Sequence, residues 1–110
     1  MICDLGDVAV VPFPFTDMAV LKRRPALVIS KRDFNERNEN TVLAMITTAR
    51  GSSWPSDISL SDPAAAGLHA ASYVRWKIFT IPNDMIMRTT GSVGKGDKKA
   101  VTAALRGMFG

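Results

Sequence analysis

The chain is poor in the residues that build redox and metal chemistry: its 110 residues include one cysteine, Cys3, and one histidine, His69. A lone cysteine excludes an intramolecular disulfide and any multi-cysteine metal site, and it suits a reducing compartment. Cys3 has no histidine near it in sequence and reads as a small buried hydrophobe rather than a catalytic thiol. A lone histidine excludes an acid–base pair of imidazoles. His69 reads as a loop residue with a structural role, although an imidazole titrates near neutral pH. Long apolar runs are absent as well: Val8–Phe15 falls far short of the roughly 20 residues that span a bilayer. The opening MICDLGDVAV has no basic region, apolar block or small-residue cleavage site, so a cytoplasmic chain is expected, neither exported nor membrane-bound. Gly91–Gly96 (GSVGKG) has the glycines of a phosphate loop but neither the P-loop nor the dinucleotide spacing, and no metal-binding motif occurs. No cofactor and no metal are expected.

What is present is the balance of a globular protein, with 46% hydrophobic and 22% charged residues. The length suits one domain, 1–110, with one core and no repeat or internal linker. Fourteen basic against ten acidic residues leave a net charge of +4. In so small a domain this favours an anionic partner, either nucleic acid or an acidic protein.

The apolar segments are short, β-branched and separated by turn residues. Val8–Phe13 reads as a first strand, and Pro12 and Pro14 make it an edge or a strand end. Ala26–Ser30 reads as a strand buried on both sides. The polar Asp33–Asn40 reads as a loop, Thr41–Thr48 as a third strand, Gly51–Pro55 as a turn and Asp57–Leu60 as a short fourth strand. Asp62-Pro63 starts a helical turn, with aspartate as cap and proline at the first helical position. Ser72–Ile81 is the longest strand, half-buried, alternating Tyr73, Arg75, Lys77 and Phe79 against Val74, Trp76, Ile78 and Thr80. Met85–Met87 is ambiguous. Val101, Ala104, Leu105 and Met108 form the stripe of an amphipathic helix with Asp97 as a plausible N-cap, fraying over Gly107–Gly110. Five or six strands and a terminal helix make a fold that is mainly β, a small barrel with a helix packed on it.

Four blocks then line up in order and spacing with a known family. GDVAVVPFPFTD, RRPALVIS (residues 23–30), VLAMITTA (42–49) and AGLHAASYVRWKIFTI (66–81), with Gly91 ahead of the last helix, together resemble the MazF/PemK toxins of type II toxin–antitoxin systems. The resemblance runs from about residue 6 to 108. It implies an SH3-like barrel of the CcdB/PemK type, a homodimer, and a cognate acidic antitoxin. It also implies sequence-specific, metal-independent cleavage of single-stranded RNA, the ribose 2′-hydroxyl attacking its own phosphate.

Such a reaction needs donors aimed at the charge growing on the phosphate, not a protein nucleophile. The resemblance makes Arg24 and Thr47 the catalytic candidates. Arg24 is the arginine of the Arg-Pro pair, whose fork can grip phosphate oxygens and whose backbone Pro25 biases to an extended form. Thr47 is the hydroxyl after the apolar strand. Thr48, beside it, takes the opposite face if the strand continues, so only one of the two could face Arg24. Arg75, matching a second arginine that some members use, shares a face with Tyr73 and Lys77, and that basic-plus-aromatic surface suits RNA. Lys77, Lys22, Arg23, Thr48 and Trp54 complete the expected RNA-binding set. Trp54 is the exposed stacker, whereas Trp76 and Phe79 belong in the core.

The chain also departs from the family. Some members carry an acid before the Arg-Pro arginine, where Lys22 and Arg23 stand here. Others carry an aspartate two residues after the second arginine, where Lys77 stands. Asp17 is a weak substitute for the missing base, so electrostatic stabilisation and positioning are expected to supply most of the rate. Thr16–Arg23 is expected to be a mobile loop bordering the RNA groove, where Met18, Val20 and Leu21 could anchor an antitoxin segment and Lys22 and Arg23 attract its acids. Two alternatives stay open: a non-catalytic member that only binds, and a topoisomerase-poisoning toxin on the same barrel.

Overall fold

The computed structural model describes residues 1–13, 22–48 and 53–110, apart from the side chain of Phe13. Its strands are β1 (Asp7–Phe13), β2 (Lys22–Val28), β3 (Asn40–Thr47), β4 (Ile58–Ser59), β5 (Tyr73–Pro82) and β6 (Arg88–Ser92). Two helices, α1 (Arg32–Asn38) and α2 (Lys95–Phe109), and two 3-10 turns, Pro63–Ala66 and Asn83–Met85, complete it. The expectations for Thr16–Leu21, Asp17 included, and for part of the Gly51–Pro55 turn fall within positions 14–21 and 49–52, which lie outside the described residues.

All pairings are antiparallel and the sheet order is β4-β5-β3-β2-β1-β6. Ala26, Leu27 and Val28 are all fully buried, so β2 is covered on both faces, as its continuous apolar run predicts. The sheet thereby has a core on each side. Ala9, Val11, Ala26, Val28, Leu43, Phe79 and Ile81 pack on one face with Cys3. Val8, Leu27, Ala44, Ile46, Val74 and Trp76 pack on the other, under Val101, Ala104 and Leu105 of α2. The chain is therefore mainly β with a C-terminal helix, a half-barrel rather than a closed barrel. Its two edges are joined by the turn that follows β4: Thr90 Oγ1 of β6 donates to the Ala66 carbonyl at 2.7 Å. A Cβ on Gly91 would lie 2.4 Å from the Ala65 carbonyl oxygen, so only glycine allows β6 to approach so closely.

Several local expectations are corrected. β1 as a whole lies between β2 and β6, but its pairing with β6 ends at Val10, and Pro12 sits beyond, at the strand end that its proline predicts. Lys22 and Arg23 belong to β2 rather than to the loop before it. Residues 32–38 are helical because distant groups supply what the local sequence lacks. The Arg32 amide donates to Asp4 Oδ1 at 2.9 Å, a cap from 28 residues away. Asn35, fully buried, donates to the carbonyls of Cys3 and Ser30, and Glu39 closes the helix at φ 54°. β5 is not half-buried. Its register with β3 jumps between Ala44↔Ile78 and Met45↔Arg75, a bulge at Trp76 and Lys77 that keeps the alternation but leaves Lys77 and Ile78 exposed. The Met85–Met87 ambiguity resolves into the end of a 3-10 turn before β6, and Gly91 lies within β6.

Helix α2 is capped at Gly94, not Asp97, and continues through Gly107 to Phe109 instead of fraying. Asp97, in the first turn, is buried and accepts from the Ser61 amide at 2.9 Å and the Ser61 hydroxyl at 3.0 Å. It bolts the helix to the segment after β4, which a local cap could not do. Asp97→Ala is expected to cost about 1–3 kcal/mol, because the Ser61 amide loses its partner. Urea unfolding checks this through a lower midpoint at unchanged slope.

Candidate functional site

The register of the central strands sets the candidate residues in place. β2 and β3 pair as Ala26↔Met45, and the same register continued two residues brings Arg24 level with Thr47. On the far side, Thr47 pairs with Tyr73 of β5, and on the near side Arg24 pairs with Val11 of β1. Strand alternation puts Arg24 on the face of Ala26 and Thr47 on the face of Met45, its partner, with Tyr73 opposite Thr47, so the three share one face of the sheet. Arg75, opposite Met45, follows in the next row of that face.

At this end of the sheet a cleft of about 740 Å³ opens, within the ~300–1,000 Å³ usual for ligand sites. Arg23, Arg24, Thr47 and Thr48 all line it. Both threonines reach the cleft because β3 ends at Thr47 and Thr48 is no longer bound by strand alternation. The opposite wall is His69 and its neighbours in the loop before β5, with Arg88, Thr89 and Thr90 of β6. Three guanidiniums therefore meet several hydroxyls, an arrangement suited to a polyanion. Arg23 and Arg24 are exposed, so their donors are open to solvent and to a ligand. Lys22, the last expected member on β2, is exposed next to Arg23 but is not part of the cleft lining.

The other expected residues assemble elsewhere. Trp54 and Asp57 close a turn, the Asp57 amide donating to the Trp54 carbonyl and the Trp54 amide to Asp57 Oδ2, both at 3.0 Å. Asp57 in turn accepts from Arg75 Nε at 3.1 Å and from its terminal nitrogen at 2.8 Å, a bidentate pair with side chains 7% and 8% exposed. The Trp76 indole donates to the Ser56 carbonyl at 3.0 Å, tying the same turn to β5. Trp54 stands over this pair, its ring centroid 5.6 Å from the Arg75 guanidinium and 5.8 Å from Lys77 Nζ. Trp54 is exposed while Trp76 and Phe79 are in the core, as expected from sequence. Arg75, however, is buried and committed to Asp57, so its guanidinium is a strut for the Trp54 turn rather than an open phosphate ligand.

Two cleft features escape a sequence reading. Arg88 falls in the stretch that periodicity left ambiguous, although RTTGS (Arg88–Ser92) carries the paired threonines of a strand. His69 reads as structural, yet it is exposed at the cleft. Cys3, in contrast, is buried, and that burial, with Asp7 nearby, pushes its thiol up and away from reactivity.

Comparison with solved structures defines the class. A MazE–MazF complex from Deinococcus radiodurans superimposes with a TM-score of 0.75 over 100% of this chain and 97% of that one, at 19% identity. An endoribonuclease bound to its cognate antitoxin from a mycobacterial species gives 0.76 over 98% and 93%, at 18% identity. The Mycobacterium tuberculosis toxin MazF-mt6 gives 0.73 over 94% and 95%, at 23% identity. Likeness at such identities establishes a shared fold, that of the small toxin half-barrels. No curated protein matches the sequence. The profile of the family described as PemK-like, MazF-like toxin of type II toxin–antitoxin system matches residues 4–109, and the chain belongs to that family.

The Asp57–Arg75 pair gives the site a measurable pH signature. The hydrogen bond from Arg75 holds the Asp57 carboxyl below the ordinary carboxylate range. A depressed carboxyl stabilises the fold above its unfolded-state range, and that contribution is lost as pH falls through the folded value. Asp57→Asn is therefore expected to lower the thermal midpoint at neutral pH, with the gap to wild type narrowing as acid protonates Asp57. A gap of constant size across an acid titration of the two midpoints is the opposing result.

Proposed function

We propose that this chain is an endoribonuclease toxin that cleaves single-stranded RNA at a short sequence, without a metal, by attack of the ribose 2′-hydroxyl on the adjacent phosphate. The observation that carries this reading is Arg24 of β2 and Thr47 at the end of β3 lining one cleft. Attack by the 2′-hydroxyl builds negative charge on the non-bridging oxygens at phosphorus. A bidentate guanidinium with a neighbouring hydroxyl donor, fixed before the substrate arrives, lowers the energy of that charge without reorganising. Arg23 of β2 and Arg88 of β6 extend the cationic lining to flanking phosphates. Trp54, with Lys77 beside its ring, supplies an exposed aromatic edge for a base further along the strand.

The partners follow from the same surface. The structural relatives include MazE–MazF complexes and an endoribonuclease with its cognate antitoxin, and for this chain an acidic antitoxin is the matching partner. Lys22 and Arg23, exposed at the start of β2, are the charges that would draw it to the cleft mouth. A homodimer and a cytoplasmic location complete the proposal; no helix among the described residues is long and apolar enough to cross a membrane.

The test is cleavage of a long single-stranded RNA in EDTA by the wild type and by Arg24→Ala. Cuts at a recurring short motif are expected, with the rate falling about 10²–10³-fold in the variant, the scale of removing one oxyanion donor. Arg24 is exposed, so the variant should keep the wild-type melting temperature. Salt-dependent RNA binding with no cuts by the wild type would move the function to binding alone.

A further inference from the structure

We infer that His69 is the general base of the cleft, accepting the proton of the attacking 2′-hydroxyl; this rests on the ribonuclease reading above. Donors are plentiful in the lining, whereas a proton acceptor is what the family's alternative carboxylate positions fail to supply here, where Lys22, Arg23 and Lys77 stand. The charged groups facing His69 are Arg23 and Arg24 from β2 and Arg88 from β6, while β1 and β3 contribute Val10, Ile46, Thr47 and Thr48. Arginine stays protonated and threonine hydroxyls do not ionise near neutrality. Among the described lining residues, the neutral imidazole is the side chain with a lone-pair nitrogen that can accept a proton.

The fold holds His69 at the cleft rather than leaving it on a loose loop. Gly67, at φ +73°, approaches β6 so closely that a Cβ would lie 2.4 Å from the Thr90 carbonyl oxygen. The Gly67 and Leu68 amides donate back to the carbonyls of Ala64 and Pro63 at 3.0 and 2.9 Å. On the other side, Ser72 donates to the Ala70 carbonyl at 2.8 Å, and the Leu60 amide donates to the Ser72 carbonyl at 3.0 Å. His69 is thus carried between two anchored points and faces the same cavity as Arg24 and Thr47.

In the step itself, the 2′-hydroxyl proton passes to an imidazole nitrogen while the O2′–P bond forms. The P–O5′ bond breaks, and the departing O5′ takes a proton from water or from the newly formed imidazolium. The products are a 2′,3′-cyclic phosphate and a 5′-hydroxyl, with no oxidant or reductant involved.

His69→Gln tests the assignment on a short RNA containing the mapped cut, and on the same RNA with sulfur as the 5′ leaving atom. The expected result is a kcat lowered about 100-fold or more with KM little changed. The acid limb of the wild-type pH–rate profile should vanish, and the defect should persist on the thio substrate, whose leaving group needs no proton. His69→Ala partly rescued by added imidazole would separate proton transfer from a folding defect. Cleavage by His69→Gln near the wild-type rate, or a defect that disappears on the thio substrate, would overturn the base assignment. Absence of cleavage by the wild type would instead overturn the ribonuclease reading, and the role of His69 with it.

Discussion

β2 runs between β1 and β3 with Ala26, Leu27 and Val28 fully buried, so its register is constrained from both faces of the sheet. A slip of one residue would exchange the side chains of the two cores, placing residues fitted to one face into the packing of the other. The cleft inherits this constraint. Arg24 and Thr47 share the cleft only while Ala26 pairs with Met45 and Leu27 with Ala44. Positioning at the strand ends is thus a by-product of packing several residues away.

Around this centre, polar side chains fasten segments that packing alone would leave loose. Asp4 caps α1, Asn35 joins α1 to the chain near Cys3, and Asn83 donates to the Asn35 carbonyl at 2.7 Å while accepting from Thr41 at 2.6 Å. Asp97 does the same for α2 and Ser61. Each bond joins parts of the chain distant in sequence, and those of Asn35, Thr41 and Asp97 satisfy groups whose burial would otherwise be costly. The tie between Asp57 and Arg75 belongs with these, holding the Trp54 turn against β5.

This explains which parts of the molecule were legible in the sequence. The doubly buried run at β2, the β3 strand ending at its threonines and the Val101, Ala104 and Leu105 part of the α2 stripe speak through local periodicity, whereas Met108, expected in the same stripe, is exposed. α1 was missed because its cap comes from Asp4 and its buried anchor is an asparagine, neither of which a polar, asparagine-rich stretch announces. Asp97 was misplaced because a carboxylate near a helix start has two uses, and the choice depended on Ser61. At the site, the Arg-Pro pair and the threonines pointed to the cleft through the family resemblance, whereas Arg88 and the exposure of His69 depend on how β6 and the loop before β5 converge. The binding role expected of Arg75 could not anticipate Asp57 as its partner.

The pairing of β6 with β1 also governs when the molecule becomes complete. Asp7 and Ser92, 85 residues apart, are joined by the Ser92 hydroxyl at 2.7 Å, and the Val93 amide donates to the Gly6 carbonyl at 2.9 Å. A chain emerging from the ribosome exposes β1 first and must wait for β6, which brings Arg88–Thr90, a whole wall of the cleft. Non-local closure of this kind is slow to form and comes last. A growing chain therefore carries Arg24 and Thr47 for most of its synthesis without the β6 wall of the cleft.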